Sequence, residues 1–429
     1  MTRASGVAAA LRVPILAASV WLAACGADRG AGVVLDFWAL GQEGARVREL
    51  VRDFERENPG IRVDVQQIPW TAAHEKLLTA YVGEATPDVA QIGNTWIAEF
   101  AALRAIEPLG RWIEASAVVE PDAYFGGIWA TNQLDGIAYG VPWYVDTRVI
   151  FYRKDILTRA GYDAVPSSWA GWREALERIQ AQADAGEYAI FLPTDEWAQP
   201  VILGLQAGSP LLRDGGRYGA FEAPAFRRAF DFYLGLYRDG LAPVLANTQV
   251  ANVYQEFARG TFAMWITGPW NIGEFRRRLP SELQDRWATA PLPGPTGAAS
   301  GISLAGGSSL VIFRASAHKP EAWKLIEYLS RREQQVRFYR LTGDLPARRE
   351  AWQDPALAGN RHARAFREQL ERVAPLPQVP EMELIANKVY EHAEAAIRGV
   401  ASAEAVLAAL DRDVDRILEK RRWLLRSGT

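Results

Sequence analysis

Residues 33–38 read VVLDFW, a short apolar run with β-branched members that is typical of a buried strand. Apolar residues then recur at helical spacing over 47–54, and alternating apolar residues over 61–65 indicate a second strand. Another helical stripe lies at 77–82, and the run PDVAQI at 87–92 has the composition of a third strand. The order βαβαβ predicts a parallel sheet with right-handed crossovers.

The rest of the chain continues this α/β alternation. Residues 140–152 are extended on both sides of Asp146 and Thr147, and further strands are predicted at 188–192, 261–266 and 308–313. The C-terminal third is mostly helical, and the absence of a repeat with a fixed period argues against solenoids and propellers. At roughly 150 residues per domain, a chain of 429 residues is expected to form two or three domains.

Composition excludes several classes of protein. With 49% hydrophobic and 23% charged residues, the chain is neither a disordered nor a fibrous protein. A formal net charge of −3 argues against a nucleic-acid partner, because binding phosphates requires an excess of cationic side chains. The single cysteine excludes an intramolecular disulfide and a CxxC metal site.

The N-terminal segment is predicted to direct export. Residues 1–24 combine two arginines with an apolar run too short to span a bilayer, as in a secretory signal. The run ends in LAACG at 22–26, which is similar to a bacterial lipoprotein cleavage box in which Cys25 receives the lipid. Residues 25–32 are then a short tether, and the exported protein is periplasmic or at the cell surface, anchored to a membrane. A plain secretory signal with an incidental cysteine is the alternative.

No motif for catalysis or cofactor binding is found. The four histidines are isolated, and the sequence contains no GxSxG elbow, no phosphate-binding loop and no dinucleotide fingerprint. We therefore expect no cofactor and no metal. Acidic residues are plentiful, so a carboxylate pair for glycoside hydrolysis stays open as an alternative.

The chain holds 16 tryptophans, and five follow or end predicted strands beside polar residues: Trp38, Trp96, Trp143, Trp197 and Trp270. Ligands of parallel α/β sheets collect at the carboxyl ends of the strands. An indole can cover the C–H face of a sugar while polar neighbours, such as Gln42 and Glu43, bind its hydroxyl groups. These five indoles are candidate sugar contacts, with core packing as the alternative for each. Core packing is the prediction for Trp112, Trp169, Trp172, Trp287 and Trp323.

Three segments carry a resemblance to a known family: GVPWYVDTRVIFYRKD at 140–155, GTFAMWITGPW at 260–270 and TGDLPAR at 342–348. They resemble bacterial extracellular solute-binding proteins of family 1, the sugar-capturing components of ABC importers. The first segment is similar to the family signature around an interlobe crossing, and the second to its strand ending in Gly-Pro-Trp. The Asp-Thr-Arg after Trp143 resembles the maltose- and trehalose-binding branch, which favours a disaccharide.

The resemblance implies a two-lobed, type II periplasmic-binding-protein-like fold with a hinge and an interlobe cleft. The expected N-terminal lobe comprises 33–145 and 292–340, and the expected C-terminal lobe comprises 146–291 and 341–426. By position in the family, the expected ligand contacts are Glu43, Asn94, Trp96, Asp146, Trp270, Asn271, Gly306, Gly307 and Arg348. Many relatives have an aspartate in place of Asn94, so the resemblance does not specify the sugar.

The resemblance further implies a monomer that captures a di- or oligosaccharide and delivers it to permease and ATP-hydrolysing subunits. A ligand that contacts both lobes shifts such a protein towards its closed form without any chemical step. Two alternatives stay open: a lipid-anchored glycoside-processing enzyme, and the same fold with a non-sugar ligand such as a polyamine.

Overall fold

The computed structural model of the chain describes residues 32–427. The predicted signal segment, Cys25 and nearly all of the tether lie outside these residues. Within them, no helix is both long enough and apolar enough to cross a membrane.

Two mixed sheets organise the described residues. In chain order their strands are β1 (Val33–Leu40), β2 (Ile61–Ile68), β3 (Val89–Gly93), β4 (Val141–Asp146), β5 (Val149–Arg153), β6 (Tyr188–Phe191), β7 (Phe262–Thr267), β8 (Trp287–Ala290), β9 (Gly306–Ile312) and β10 (Leu345–Pro346). Three small two-stranded ribbons complete the strand content: Gln133–Leu134 with Ile137–Ala138, Leu212–Arg213 with Tyr218–Gly219, and Ser303–Leu304 with Val373–Ala374.

Helices connect and cover the strands. In chain order they are α1 (Gly41–Arg46), α2 (Arg48–Glu57), α3 (Trp70–Val82), α4 (Ile97–Ala102), α5 (Gly110–Glu114), α6 (Gly126–Ala130), α7 (Lys154–Arg159), α8 (Trp169–Gln180), α9 (Ala198–Gln206), α10 (Pro224–Arg238), α11 (Val253–Arg259), α12 (Trp270–Arg278), α13 (Lys319–Ser330), α14 (Arg332–Thr342), α15 (Pro355–Ala358), α16 (Arg364–Gln369), α17 (Met382–Ile397), α18 (Ala403–Ile417) and α19 (Glu419–Ser427).

The first sheet has the strand order β10-β4-β9-β3-β1-β2. Strand β1 pairs in parallel with β2 and β3, which confirms the βαβαβ unit predicted from residues 33–92. Strand β9 is antiparallel to β3 and β4, so the complete sheet is mixed. Apolar side chains of α2 and α13 bury one face of this sheet, and those of α3 and α4 bury the other.

The second sheet has the strand order β8-β5-β7-β6. Successive residues of β5 point to opposite faces: Ile150 packs with α8, α9 and α10, whereas Phe151 packs with Phe275 and Trp287. Among the tryptophans predicted to be core, Trp172, Trp287 and Trp323 are buried. Trp112 stacks on Trp323 and Trp169 stacks on Phe232, so these two half-buried indoles also serve packing.

The chain passes between the sheets at Asp146–Val149, where β4 ends in the first sheet and β5 begins in the second. The chain returns from the second sheet to the first between β8 and β9. The structure differs from expectation after residue 341, because Leu345 and Pro346 pair with Val145 and Tyr144 in the first sheet. The late segment therefore contributes to the N-terminal lobe before α17 and α18 pack among the helices of the second sheet.

Candidate ligand-binding site

A cavity of about 590 Å³ lies between the two lobes, where the ends of their strands meet. The first lobe contributes the start of α1 and the turn after β3, and the crossing contributes the end of β4. The second lobe contributes the residues that follow β6 and β7, together with the start of α17. The residues that line the cavity therefore come from segments far apart in sequence.

Most residues singled out in the sequence line this cavity. They are Gln42, Glu43, Asn94, Trp96, Asp146, Trp197, Trp270, Gly306 and Gly307. Ligands of α/β sheets collect at the carboxyl ends of the strands, which we call the strand-end rule. The rule explains why these residues meet, because the turns after strands of both sheets open into the same space. Their contact with a ligand stays a prediction.

Four predicted residues lie elsewhere. Trp38 lies in a separate surface groove beside Asp36 and Asp64, with the Lys76 ammonium 4.8 Å from its ring centroid. Strand β1 runs on to Leu40, so Trp38 lies within the strand and not in the turn after it.

Trp143 is a core residue and not a wall of the cavity. Only 1% of its surface is exposed, and its ring stacks on Phe338 with centroids 4.3 Å apart. Successive residues of a strand point to opposite faces of the sheet. Trp143 therefore faces the core, whereas Tyr144 and Asp146 of the same strand share the other face and line the cavity.

Asn271 and Arg348 are buried in hydrogen-bond networks away from the cavity lining. The Asn271 amide donates to the Thr267 hydroxyl and accepts from the Tyr254 hydroxyl, both at 2.8 Å. The Arg348 guanidinium donates to the backbone carbonyl of Val118. Both side chains therefore brace the framework around the site.

The lining also includes residues that were not singled out in the sequence, and those with large polar or aromatic side chains are Trp70, Tyr144, Arg148, Asp344 and Glu383. Trp70 follows β2 directly, so the strand-end rule applied to that strand could have found it. Glu383 begins a helix far along the chain, and no local sequence pattern connects it to the cavity.

Glu43 is held by two hydrogen-bond donors. The Tyr144 hydroxyl donates to its Oε1 atom at 3.0 Å, and the Trp70 indole N–H reaches the same oxygen at 3.4 Å. Gln91 supports the pair by donating to the Tyr144 hydroxyl at 3.3 Å. Burial raises the pKa of the Glu43 carboxyl, because the charged form loses water. The carboxyl is thereby presented in a defined orientation.

Trp270 offers the most exposed indole of the cavity, with 48% of its surface accessible. The Arg148 guanidinium lies 4.7 Å from the Trp270 ring centroid and donates to Asp146 Oδ1 at 2.6 Å. A Cβ atom at Gly268 would lie 2.0 Å from a ring carbon of Trp270, so a larger residue there would displace the indole from this position. The indole is thus a supported platform with accessible surface.

Trp96 is oriented by aromatic neighbours from α3. The Trp70 ring meets it edge-on with centroids 5.8 Å apart, and the His74 ring lies 5.0 Å away. His74 is itself held by Glu99, with 2.6 Å between Nε2 and Oε2. Aromatic contacts of this kind favour the observed orientation of the indole.

The two lobes touch at one edge of the cavity. The Thr95 hydroxyl, next to Trp96, donates to the Glu383 carboxylate at the start of α17.

We expect Thr95→Val to weaken ligand binding by about 3- to 10-fold, because the closed form loses one hydrogen bond that spans the lobes. Tryptophan-fluorescence titration measures this, and Thr95→Ser is the control that keeps the hydroxyl. Equal affinities of Thr95→Val and the unmodified protein would contradict it.

The chemistry of the cavity suits a polyhydroxylated ligand. Accessible indoles can cover apolar C–H faces, and carboxylate, amide and guanidinium groups can bind hydroxyl groups around them. Within residues 32–427, no group of three or more His, Cys, Asp or Glu side chains is arranged to hold a metal ion.

Two α/β lobes around a lined cavity define the class of two-lobed periplasmic-binding proteins. Residues 38–336 match the model of the bacterial extracellular solute-binding protein family, and the chain belongs to that family. Both the family resemblance and the two-lobed fold class predicted from the sequence are thereby confirmed.

A solved structure with high similarity is that of the sugar-binding protein MalE from the phytopathogen Xanthomonas citri. It is 48% identical, with a TM-score of 0.89, and the match covers 92% of this chain and 99% of that one. The galactooligosaccharide-binding protein of Bacillus subtilis is 26% identical over 410 residues, 91% of each chain. The diacetylchitobiose binding protein DasA of Streptomyces coelicolor is 25% identical over 395 residues, 89% of each chain.

Proposed function

We propose that this protein is the sugar-binding component of an ABC importer and captures a di- or oligosaccharide between its lobes. The observation that carries the proposal is the cavity itself, where Trp96, Trp197 and Trp270 stand among carboxylates supplied by both lobes. Its volume of about 590 Å³ lies within the range of about 300–1,000 Å³ common for small-molecule sites. The 48% identity to a sugar-binding MalE supports the same ligand class.

In this proposal, the residues up to Asp146 and the returning strands β9 and β10 form one lobe, and the second sheet with its helices forms the other. A sugar that contacts both lobes stabilises the closed form by its differential affinity for closed over open. The closed monomer then docks on membrane-spanning permease subunits, which work with ATP-hydrolysing subunits. The sugar is released unchanged.

Titration of intrinsic tryptophan fluorescence tests the ligand class. Maltose, trehalose and maltotriose are added separately to the purified protein, and at least one is expected to change the emission saturably, because four indoles line the cavity. Chromatography of the recovered sugar is expected to show no product. A flat titration with all three sugars counts against sugar binding, and released monosaccharide counts against transport without chemistry.

Export and anchoring belong to the same proposal. We expect Cys25→Ser to move the protein from the membrane fraction to the soluble fraction of cells, because no thiol is left to carry lipid. Immunoblots of the two fractions measure the distribution. Trp270→Ala is the control that keeps Cys25 and is expected to stay with the membrane. A Cys25→Ser protein that also stays there would contradict lipid anchoring.

A further inference from the structure

The turn after α14 holds a carboxyl group in the cavity wall. Helix α14 ends at Thr342, and Gly343 takes a left-handed conformation with φ of 87°. The Asp344 N–H donates to the Thr342 hydroxyl at 3.0 Å, and β10 then pairs with β4. This geometry holds Asp344 beside Tyr144 and Asp146 in the cavity lining.

The Asp344 carboxyl lacks the partners that neighbouring carboxyls have. Glu43 accepts hydrogen bonds from Tyr144 and Trp70, and Asp146 is paired with Arg148. The Oδ2 atom of Asp344 is buried and has no hydrogen-bond partner within the described chain. A buried acceptor without a donor costs stability, so its presence in a cavity wall points to a donor supplied by the ligand.

The groups that face Asp344 make its charged form unfavourable in the free protein. Burial is the largest effect, and the negative charges of Glu43 on α1 and Asp146 on β4 add to it. The adjacent Thr342 hydroxyl has a smaller, opposing effect, and the Arg148 charge is engaged by Asp146. Together these effects raise the pKa of Asp344 to about 7. The cavity therefore holds a carboxyl that is only partly ionised at neutral pH.

We propose that Asp344 is a specificity-determining residue whose carboxylate accepts a hydrogen bond from a hydroxyl group of the bound saccharide. This inference rests on the proposed sugar-binding function. A sugar hydroxyl is a donor that fits an acceptor with no other partner, and it stabilises the ionised form over the protonated form. Binding is therefore coupled to loss of the Asp344 proton.

The coupling has a defined sign. Because the ligand favours the carboxylate, affinity rises as pH increases through about 7, and binding below that pH releases a proton. Stability of the free protein has the opposite dependence. A carboxyl whose pKa is raised in the folded state loses stability as pH rises from about 4 to about 7, since the unfolded chain ionises first.

Asp344→Asn tests the proposal, because the amide keeps the shape and stays uncharged. Maltose, trehalose and maltotriose are titrated at about pH 5.5 and about pH 8, on either side of the Asp344 pKa of about 7. At the higher pH we expect about 10-fold weaker binding by the variant, and at the lower pH nearly equal binding. The exposed carboxyl Asp122 supplies the control, Asp122→Asn, which is expected to leave both affinities unchanged.

Two further readouts separate this role from a structural one. The free Asp344→Asn protein is expected to melt about 2–5 °C higher than the unmodified protein at about pH 8, because it lacks the unfavourable charge. Calorimetry of the unmodified protein near pH 6, in two buffers of different ionisation heat, is expected to show proton release on sugar binding. This second measurement needs no variant.

Several outcomes would overturn the assignment. Equal affinity of Asp344→Asn and the unmodified protein at the higher pH removes Asp344 from recognition, as does a pH-independent affinity of the unmodified protein. Weaker binding together with a lower melting temperature at both pH values assigns a structural role instead. If the unmodified protein binds none of the three sugars at either pH, the proposed function itself fails, and the inference fails with it.

Discussion

Trp270→Ala is expected to weaken sugar binding by about 10- to 100-fold while leaving the unfolding free energy nearly unchanged. Nearly half of this indole is exposed in the cavity, and its supporting contacts come from Arg148 and Gly268. Covering about 100 Å² of its surface with the C–H face of a sugar, at about 25 cal/mol per Å², corresponds to about 2.5 kcal/mol. Fluorescence or calorimetric titration measures the affinity, and urea denaturation measures the stability.

Trp423→Ala is the matched control for this result. Trp423 on α19 is also exposed, at 60% of its surface, but it does not line the cavity. Its replacement is expected to leave sugar affinity unchanged. Full affinity in Trp270→Ala would remove Trp270 from the binding surface, and an equal loss in both variants would show that the effect is not local.

Trp143→Ala is expected to have the opposite profile and to lower the unfolding free energy by about 3–5 kcal/mol. The Trp143 side chain is buried between sheet and helices, stacked on Phe338 and tilted against Phe37. Truncation removes a large apolar surface and leaves a cavity that the surrounding strands cannot fill. Urea or thermal denaturation of the free protein measures the loss.

Trp143→Phe is the control that keeps an aromatic ring against Phe338, and a smaller loss of stability is expected. Near the midpoint of its urea or thermal unfolding, Trp143→Ala is also expected to bind less sugar, because less folded protein is present. Far below the midpoint, its affinity is expected to be close to that of the unmodified protein. If Trp143→Ala keeps full stability but binds sugar weakly under these conditions, Trp143 belongs to the binding surface and not to the core.

Local pattern was sufficient for the α/β class, whereas the two-lobed arrangement was predicted from the family resemblance. Alternation over Ile61, Val63 and Val65 and the helical stripe before it predicted parallel pairing, which β1 and β2 show over their full length. The crossing at Asp146 could be located because residues 140–155 resemble the family signature around an interlobe crossing, in a segment extended on both sides of a polar break. The late pairing of Leu345 and Pro346 could not be located, because a two-residue strand has no periodicity of its own.

The candidate site was partly predictable. Glu43, Asn94, Trp96 and Trp270 stand after strands, and strand ends of an α/β sheet open into one space. Tyr144 and Trp143 are adjacent in one strand, and sequence alone did not distinguish the residue facing the cavity from the one facing the core. That distinction depends on which side chains cover each face of β4. The face that carries Trp143 is covered by Phe338, which lies on a helix 195 positions later in the chain.

The sequence by itself determined the order of strands and helices, the crossing between lobes and the membership of a solute-binding family. The first depends on short-range periodicity, and the other two on contiguous motifs that resemble those of a known family. Only the tertiary structure decided which indoles line the cavity, that Arg348 and Asn271 brace its surroundings, and that Asp344 reaches it without a partner. Side-chain facing and burial depend on packing between segments hundreds of residues apart, so a single stretch of sequence does not encode them.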